Sequence, residues 1–472
     1  MVNWNKEGRR TATQEYAMPT DFTLIPVIDE GLGNSTYLLD LGDGRALVID
    51  PERDVRRVRA EARRRGLRIA YAVETHLHAD FISGVRELAD TEGATVIAPE
   101  VGPRGFDVTA LADGETVAVG EFVLEAFATP GHSPEHLSYL LRSADRQLQG
   151  VFTGGSLMVG TAGRTDLVSP DQTIPLARAQ YHSLQRLMEL PDDTPVWPTH
   201  GAGSFCSAAT GTERTTTIGR ERATNPLLQV DGEDAFVEAL LASLGSFPDY
   251  FLRLGEVNHR GPAVLGHTPA LTPLTGDQVS ELIADGAQVV DARPAADFAA
   301  GHIPGALSIT LRPVFATWLG WLADNNQPVI IVRDDSQGGV DIAWEAAKVG
   351  FDTLAGELDG GMTAWIGPVE KAALLGAHEL ATYPAPTVLD IRQHGEYVAG
   401  HIPAAYNIEL GALASHLGDV PPGPVAVMCG HGERAMTAAS ILERSGRTDI
   451  RVLEGSPANY ATALGADLAA GA

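Results

Sequence analysis

Two histidines and an aspartate stand close together in the stretch ETHLHADFISG: His76, His78 and Asp80. Imidazole and carboxylate groups at that spacing share one loop, and such a donor set suits a metal ion. Two more histidines repeat a local pattern of a strand followed by a Gly-containing turn, His132 in TPGHSPEH and His200 in PTHGAGSF. Three such placements predict convergence on one pocket. A second constellation lies near the C-terminus. There VMCGHGERAM sets Cys429 directly after an apolar run, with Arg434 at the start of an expected helix. The loop Gly430-His431-Gly432-Glu433 can curl its N–H groups around the sulfur, with the helix dipole and the Arg434 guanidinium behind it. Surroundings of that kind lower a thiol pKa and stabilise a thiolate or persulfide anion.

The elements that must hold these groups are legible around them. STYLLDLGDGRALVIDP (35–51) reads as two strands about a Gly-Asp-Gly turn, ending at Asp50-Pro51. RDVRRVRAEARRRG (53–66) reads as a helix stopped by Gly66, and LRIAYAVET (67–75) as a buried strand delivering His76. Strand–helix alternation to about residue 200 predicts layered α/β sheets. Residues 258–273, rich in Gly, Pro and His, have the composition of a linker. Beyond them VVDARPAADFAAGHIPGALSI (289–309) recurs as VLDIRQHGEYVAGHIPAAYNI (388–408), so the C-terminal half holds two similar α/β domains. The expected organisation is an arm over 1–20, a first domain over 21–257, the linker, and repeats over 274–380 and 381–472. In the first repeat Arg333 aligns with Cys429 and no cysteine is present, so that copy cannot carry a persulfide. His302 and His401 occur in both copies, which marks them as turn-stabilising.

A net charge of −27 repels phosphate backbones and anionic lipid, which argues against nucleic acid and membrane surfaces as partners. No apolar run reaches the ~18 residues of a spanning helix, and no secretory signal is expected. Two distant cysteines, Cys206 and Cys429, point to a reducing cytoplasm rather than a disulfide framework. Cys206 reads as a buried structural thiol.

The chain to about residue 255 resembles the metallo-β-lactamase fold, most closely its glyoxalase II-like and persulfide dioxygenase branch. The resemblance rests on His76-Leu77-His78-Ala79-Asp80, Pro130-Gly131-His132, Phe152-Thr153-Gly154, Gly163-Arg164-Thr165-Asp166 and His200. It implies an α/β fold: an N-terminal αββα sandwich followed by the two repeats, which resemble rhodanese domains. Two positions depart from the family. Phe81 stands where two-metal members place another histidine, and Gly155 where the family places a metal-binding aspartate. One metal ion per chain is therefore expected, in either of two forms. His76, His78 and His132 can hold Zn(II) with an open fourth position; alternatively His76 and His132 hold Fe(II) without the usual carboxylate. A site without metal is the third alternative. Asp80 then serves as a base or orients a histidine, Arg164 and Asp166 form a supporting pair, and His200 belongs to the pocket. Restoring the carboxylate by Gly155→Asp is expected to tighten metal binding.

Cys429-x4-Arg434 is the short loop of sulfurtransferases, although Gly430 replaces the arginine that rhodaneses often carry there. The whole chain resembles fusions of a persulfide dioxygenase-like domain with a pseudo-rhodanese and a rhodanese. That implies a sulfur-metabolism enzyme: the metal domain oxidises the outer sulfur of a glutathione-like persulfide with O2, and Cys429 passes sulfane sulfur between carriers. Two alternatives stay open. One is a zinc-dependent hydrolase or C–S cleaving enzyme acting on a thioester or thiol adduct. The other is a metal-free lactamase-like binding domain serving Cys429. The expected partner is a small thiol or persulfide, and a homo-oligomer is left open.

Overall fold

Alternating apolar residues in the N-terminal half of the computed structural model, which describes residues 22–206, 212–383 and 386–471, build two six-stranded sheets. The arm expected over residues 1–20 lies outside the described residues. In the first sheet the strands lie in the order Leu24–Asp29, Asn34–Asp40, Arg45–Ile49, Arg68–Val73, Thr95–Pro99 and Thr109–Leu111. The second runs Thr216–Thr217, Pro195–Pro198, Leu148–Gly154, Leu137–Ser143, Phe122–Ala128 and Thr116–Val119. Tyr37, Leu39, Ile49 and Val73 of the first sheet pack on Leu124, Tyr139, Phe152 and Trp197 of the second. Helices Arg56–Arg64 and Val85–Glu92 cover one outer face through Val58, Ala62, Val85 and Leu88. Helices Pro170–Leu187 and Glu233–Ser243 cover the other. The result is the expected αββα sandwich. Arg45–Ile49 and Arg68–Val73 pair in parallel, so Asp50 and Glu74–His76 emerge at the same sheet edge.

Each C-terminal repeat forms a five-stranded parallel sheet with one spatial order. The first comprises Pro273–Leu274, Gly356–Leu358, Val329–Val332, Gln288–Asp291 and Leu307–Ser308; the second comprises Ala373–Leu375, Ile450–Leu453, Val425–Met428, Thr387–Asp390 and Tyr406–Asn407. The shared motif has a local reason. Arg293 bridges the Asp291 carboxylate and the Gly301 carbonyl at 2.6 and 2.8 Å, and Arg392 does the same with Asp390 and Gly400. His302 and His401 each pair Nδ1 with the carbonyl four residues back and stack on that residue's ring at 3.8 Å. Both histidines are therefore parts of the turn.

One boundary differs from the sequence reading. The linker stretch begins inside helix Phe251–Arg260, and Asn258 on that helix donates to the carbonyls of His78 and Phe81 and accepts from Ser83 N–H. The apolar face of this helix, Phe251 and Leu254, lies ahead of the Gly- and Pro-rich segment, so composition alone set the boundary too early. The sandwich docks on the first repeat through the same loop: Ile82 N–H donates to the Lys348 carbonyl at 2.7 Å, and the buried Lys348 ammonium pairs with Asp29.

Candidate metal centre and cysteine pocket

His76 follows strand Arg68–Val73, His132 follows Phe122–Ala128, and His200 follows Pro195–Pro198; all three are buried. Their rings meet. The centroids of His76 and His132 are 4.8 Å apart, those of His132 and His200 5.4 Å, and His76 Nε2 lies 3.3 Å from His200 Nε2. Every Nδ1 has a partner outside the cluster. That of His132 donates to the Arg164 carbonyl at 2.8 Å. That of His200 donates to Asn34 Oδ1 at 2.7 Å, because the Asn34 amide N–H is directed at Asp80. Thr75 Oγ1 gives its proton to Asp50, so it accepts from His76 Nδ1 at 2.8 Å. Three Nε2 lone pairs therefore face one space. Burial, then the charge His200 would carry, pushes His132 down to about 3. Burial and His78 push His200 to about 3 as well, and His76 lies well below its usual range. Neutral imidazole lone pairs this close repel one another unless a cation lies among them. The donor set fits one divalent metal ion.

The set read from the sequence, His76, His78 and His132, is not the one that converges. His78 Nε2 lies 3.2 Å from Asp50 Oδ1, and its ring stacks on Phe81 at 4.2 Å. Burial works to lower the His78 pKa, but the Asp50 carboxylate raises it above the usual value. His200 takes the third place instead. Asp50, His76 and His78 also lie within ligand distance of one another, as do His78, Asp80 and His200. The Asp50 carboxylate, however, already accepts from Thr75 N, Thr75 Oγ1 and Thr199 Oγ1. Asp80 uses Oδ2 to hold Asn34, which in turn holds His200. Arg164 and Asp166 form the expected supporting pair, a fork at 2.7 and 2.9 Å, and the same guanidinium binds the Phe205 carbonyl.

Three further residues went unnoticed in the sequence. Asp50 adopts φ 47°, unusual for a non-glycine residue, and ties Thr75, Thr199 and His78 together. Its place at a strand end before Pro51 was the available signal. Asn34 left none. His136 accepts the Gly155 N–H at Nε2 over 3.0 Å and stacks on His76. Gly155 itself lies against His132: a Cβ there would fall 2.2 Å from His132 Cδ2. The ring occupies the volume that Cβ would need, which argues against the expectation for Gly155→Asp.

Cys429 follows strand Val425–Met428, and helix Glu433–Arg444 starts four residues on. Gly432 N–H donates to Sγ at 3.0 Å from a backbone at φ 105°, which glycine adopts readily. Arg434 does not sit on the sulfur. Its fork closes on Glu396 at 2.7 and 2.8 Å, because helix His394–Ala399 brings that carboxylate across the loop. A cavity of about 280 Å³ opens beside Cys429 and is lined by residues of all three domains. His431, Glu433, Arg434, Gln393 and Glu396 come from the second repeat, Gly203 and Phe205 from the sandwich, and Arg312, Val314, Thr317 and Trp318 from the first repeat. In the first repeat the equivalent loop is filled by Arg333, bound to Glu357 and to the Gln337 carbonyl. Cys206 is fully buried, and burial pushes its thiol well up.

The profile described as "Metallo-beta-lactamase superfamily" matches residues 29–200, and that described as "Rhodanese-like domain" matches 275–367 and 373–463. Persulfide dioxygenase ETHE1, mitochondrial, of Homo sapiens is 32% identical over 231 residues, which span 48% of this chain and 84% of that protein. The chain belongs to the metallo-β-lactamase superfamily. Within this superfamily, hydroxyacylglutathione hydrolase of Methylobacterium nodulans is 30% identical over 209 residues, 39% of this chain and 77% of that one. A solved metallo-beta-lactamase from Staphylococcus aureus subsp. aureus COL superposes with a TM-score of 0.65 at 27% identity, covering 71% of this chain and 98% of that one. This superfamily member thus carries two rhodanese-like domains behind its sandwich. Among the described residues no helix is long and apolar enough to cross a membrane.

Proposed function

We propose that this protein is a sulfur-metabolism enzyme that handles small persulfides at two neighbouring centres. The observation that carries the reading is the segment His200–Phe205. Its first residue enters the histidine cluster, while Gly203 and Phe205 line the Cys429 cavity. At Cys429 the thiolate attacks the sulfane sulfur of a donor such as thiosulfate. The donor S–S bond breaks, sulfite leaves, and a cysteine persulfide remains. An acceptor thiolate of the glutathione class then takes the outer sulfur and restores the cysteine thiolate. Gly432 N–H supports the sulfur anion throughout.

In the sandwich His76, His132 and His200 would hold the metal. The Arg164 carbonyl, Asn34 and Thr75 keep each imidazole in the tautomer that frees Nε2. A ferrous ion there would supply O2 activation, with the outer sulfur of the persulfide giving four electrons to O2 and, with water, leaving as sulfite and the free thiol; zinc would supply a Lewis acid for hydrolysis. The similarity to the human persulfide dioxygenase supports the first chemistry. The three-histidine donor set, with glycine at 155, favours zinc and thioester hydrolysis as the second reading.

Elemental analysis, paired with O2 uptake on glutathione persulfide, separates these readings. Iron with O2 uptake supports the dioxygenase; zinc with thioester turnover supports the hydrolase. Cys429→Ser should abolish thiosulfate:cyanide sulfur transfer, and retained transfer would overturn the role of Cys429.

A further inference from the structure

We infer that Arg312, a residue of the cysteine-free rhodanese-like domain, is the anion-binding group of the Cys429 site and receives the oxyanion end of the sulfur donor. This rests on the sulfur-transfer reading of Cys429.

The cavity needs a permanent cation, and neither position 430 nor Arg434 of the sulfur loop supplies a free one. Gly430 brings no charge, and both terminal nitrogens of Arg434 are held by Glu396. Arg312 lines the same cavity as Cys429, and among the described residues no hydrogen bond or ion pair engages its guanidinium. Burial lowers its pKa, and the charges that act on it, Glu433, Arg434 and Cys429, belong to residues that line the same cavity. A guanidinium remains charged under such burial and offers a fork suited to planar or tetrahedral oxyanions.

Its position is fixed by the fold. Leu311 N–H donates to the Ala292 carbonyl at 2.8 Å, and the Arg312 carbonyl accepts from Phe315 N–H at 2.8 Å at the start of helix Phe315–Leu322. The Pro313 carbonyl lies against Gly31 of the sandwich so closely that a Cβ on Gly31 would overlap it. The repeats also differ at this point. In LGALA the second repeat has Gly411, which packs on the face of Trp321, where the first repeat has Arg312 in LRPVF. The domain that lost its cysteine thus contributes a cation to the domain that kept one.

The test uses the full chain and compares wild type, Arg312→Gln and Arg312→Lys. Cys429 is alkylated with anionic iodoacetate and neutral iodoacetamide, with mass spectrometry locating the label. Thiosulfate:cyanide kinetics are measured alongside. In Arg312→Gln the iodoacetate-to-iodoacetamide rate ratio should fall about tenfold and KM for thiosulfate should rise about tenfold or more, with kcat changed far less. Arg312→Lys should restore most of both. In the wild type, sulfate should compete with iodoacetate, which gives a readout if Arg312→Gln does not fold. An unchanged ratio and KM in the variants, or no competition by sulfate, would overturn the proposal. Should the wild type show no Cys429-dependent sulfur transfer while the ratio still falls, the transfer reading fails and the anion site stands.

Discussion

His200 Nε2 lies 3.3 Å from His76 Nε2, and both rings have committed their Nδ1 protons elsewhere. Two nitrogen lone pairs at that distance call for a cation between them. The contact groups His200, rather than His78, with His76 and His132, and Asn34 supports that histidine. Asn34→Ala should weaken metal binding about 10–100-fold, the usual effect of removing the partner that orients a ligating histidine. His200→Ala should cost at least as much, whereas His78→Ala should leave the metal stoichiometry intact. Competition titration with a chelator, followed by elemental analysis, checks all three. A metal lost with His78 but kept without His200 would refute the assignment.

Gly155 packs against the His132 ring. Adding a Cβ 2.2 Å from Cδ2 forces the ring to move, and overpacking of this kind costs about 1–3 kcal/mol. Gly155→Ala and Gly155→Asp should therefore both lower metal affinity, by roughly 10–100-fold. Tighter binding by the aspartate variant would show that His132 yields and that the carboxylate becomes a ligand.

Arg434 and Glu396 form a two-point ion pair beside Cys429. Glu396→Gln removes a negative charge and frees the guanidinium, so Cys429 should react faster with iodoacetamide at fixed pH, by about 2–10-fold for a charge change near a partly exposed site. Arg434→Gln should slow the reaction. Equal rates in wild type and both variants would remove the pair from any electrostatic role.

Lys348 and Asp29 join the first repeat to the sandwich. Burial alone would raise the Asp29 carboxyl, but Lys348 holds it well below the carboxylate range; Asp29 and Glu345 in turn keep the buried Lys348 ammonium above its usual value. A depressed carboxyl contributes stability above its unfolded pKa of about 4 and loses it as pH falls toward the folded value. A raised ammonium contributes below about pH 10 and loses its share above that. Glu52 and Glu345, raised by burial, act with the opposite sign, so the informative quantity is wild type minus variant. Asp29→Asn should destabilise by about 1–3 kcal/mol near neutral pH, since it leaves the buried ammonium with Glu345 as its remaining ion-pair partner. Urea midpoints across pH should show that difference shrinking below about pH 4. A difference that is flat with pH would mean that the ion pair does not link the domains.

Much was legible in the chain alone. Sheet strands, the sandwich and the duplicated rhodanese-like units follow from local apolar patterning and an internal repeat, and both are properties of neighbouring residues. Cys429 at a strand end, the missing thiol at Arg333, and the convergence of His76, His132 and His200 were also written there. What only the tertiary structure decided are relations between distant segments. His78 turned to Asp50 because a strand end and a loop meet across the sheet edge, and Asn34 reached His200 from a strand 166 positions away. Arg434 went to Glu396, and Arg312 came to the Cys429 cavity from another domain. Spacing along the chain determines which residues share an element. Which nitrogen finds a proton, a carboxylate or a bare neighbour depends on how buried groups satisfy one another after the elements have packed.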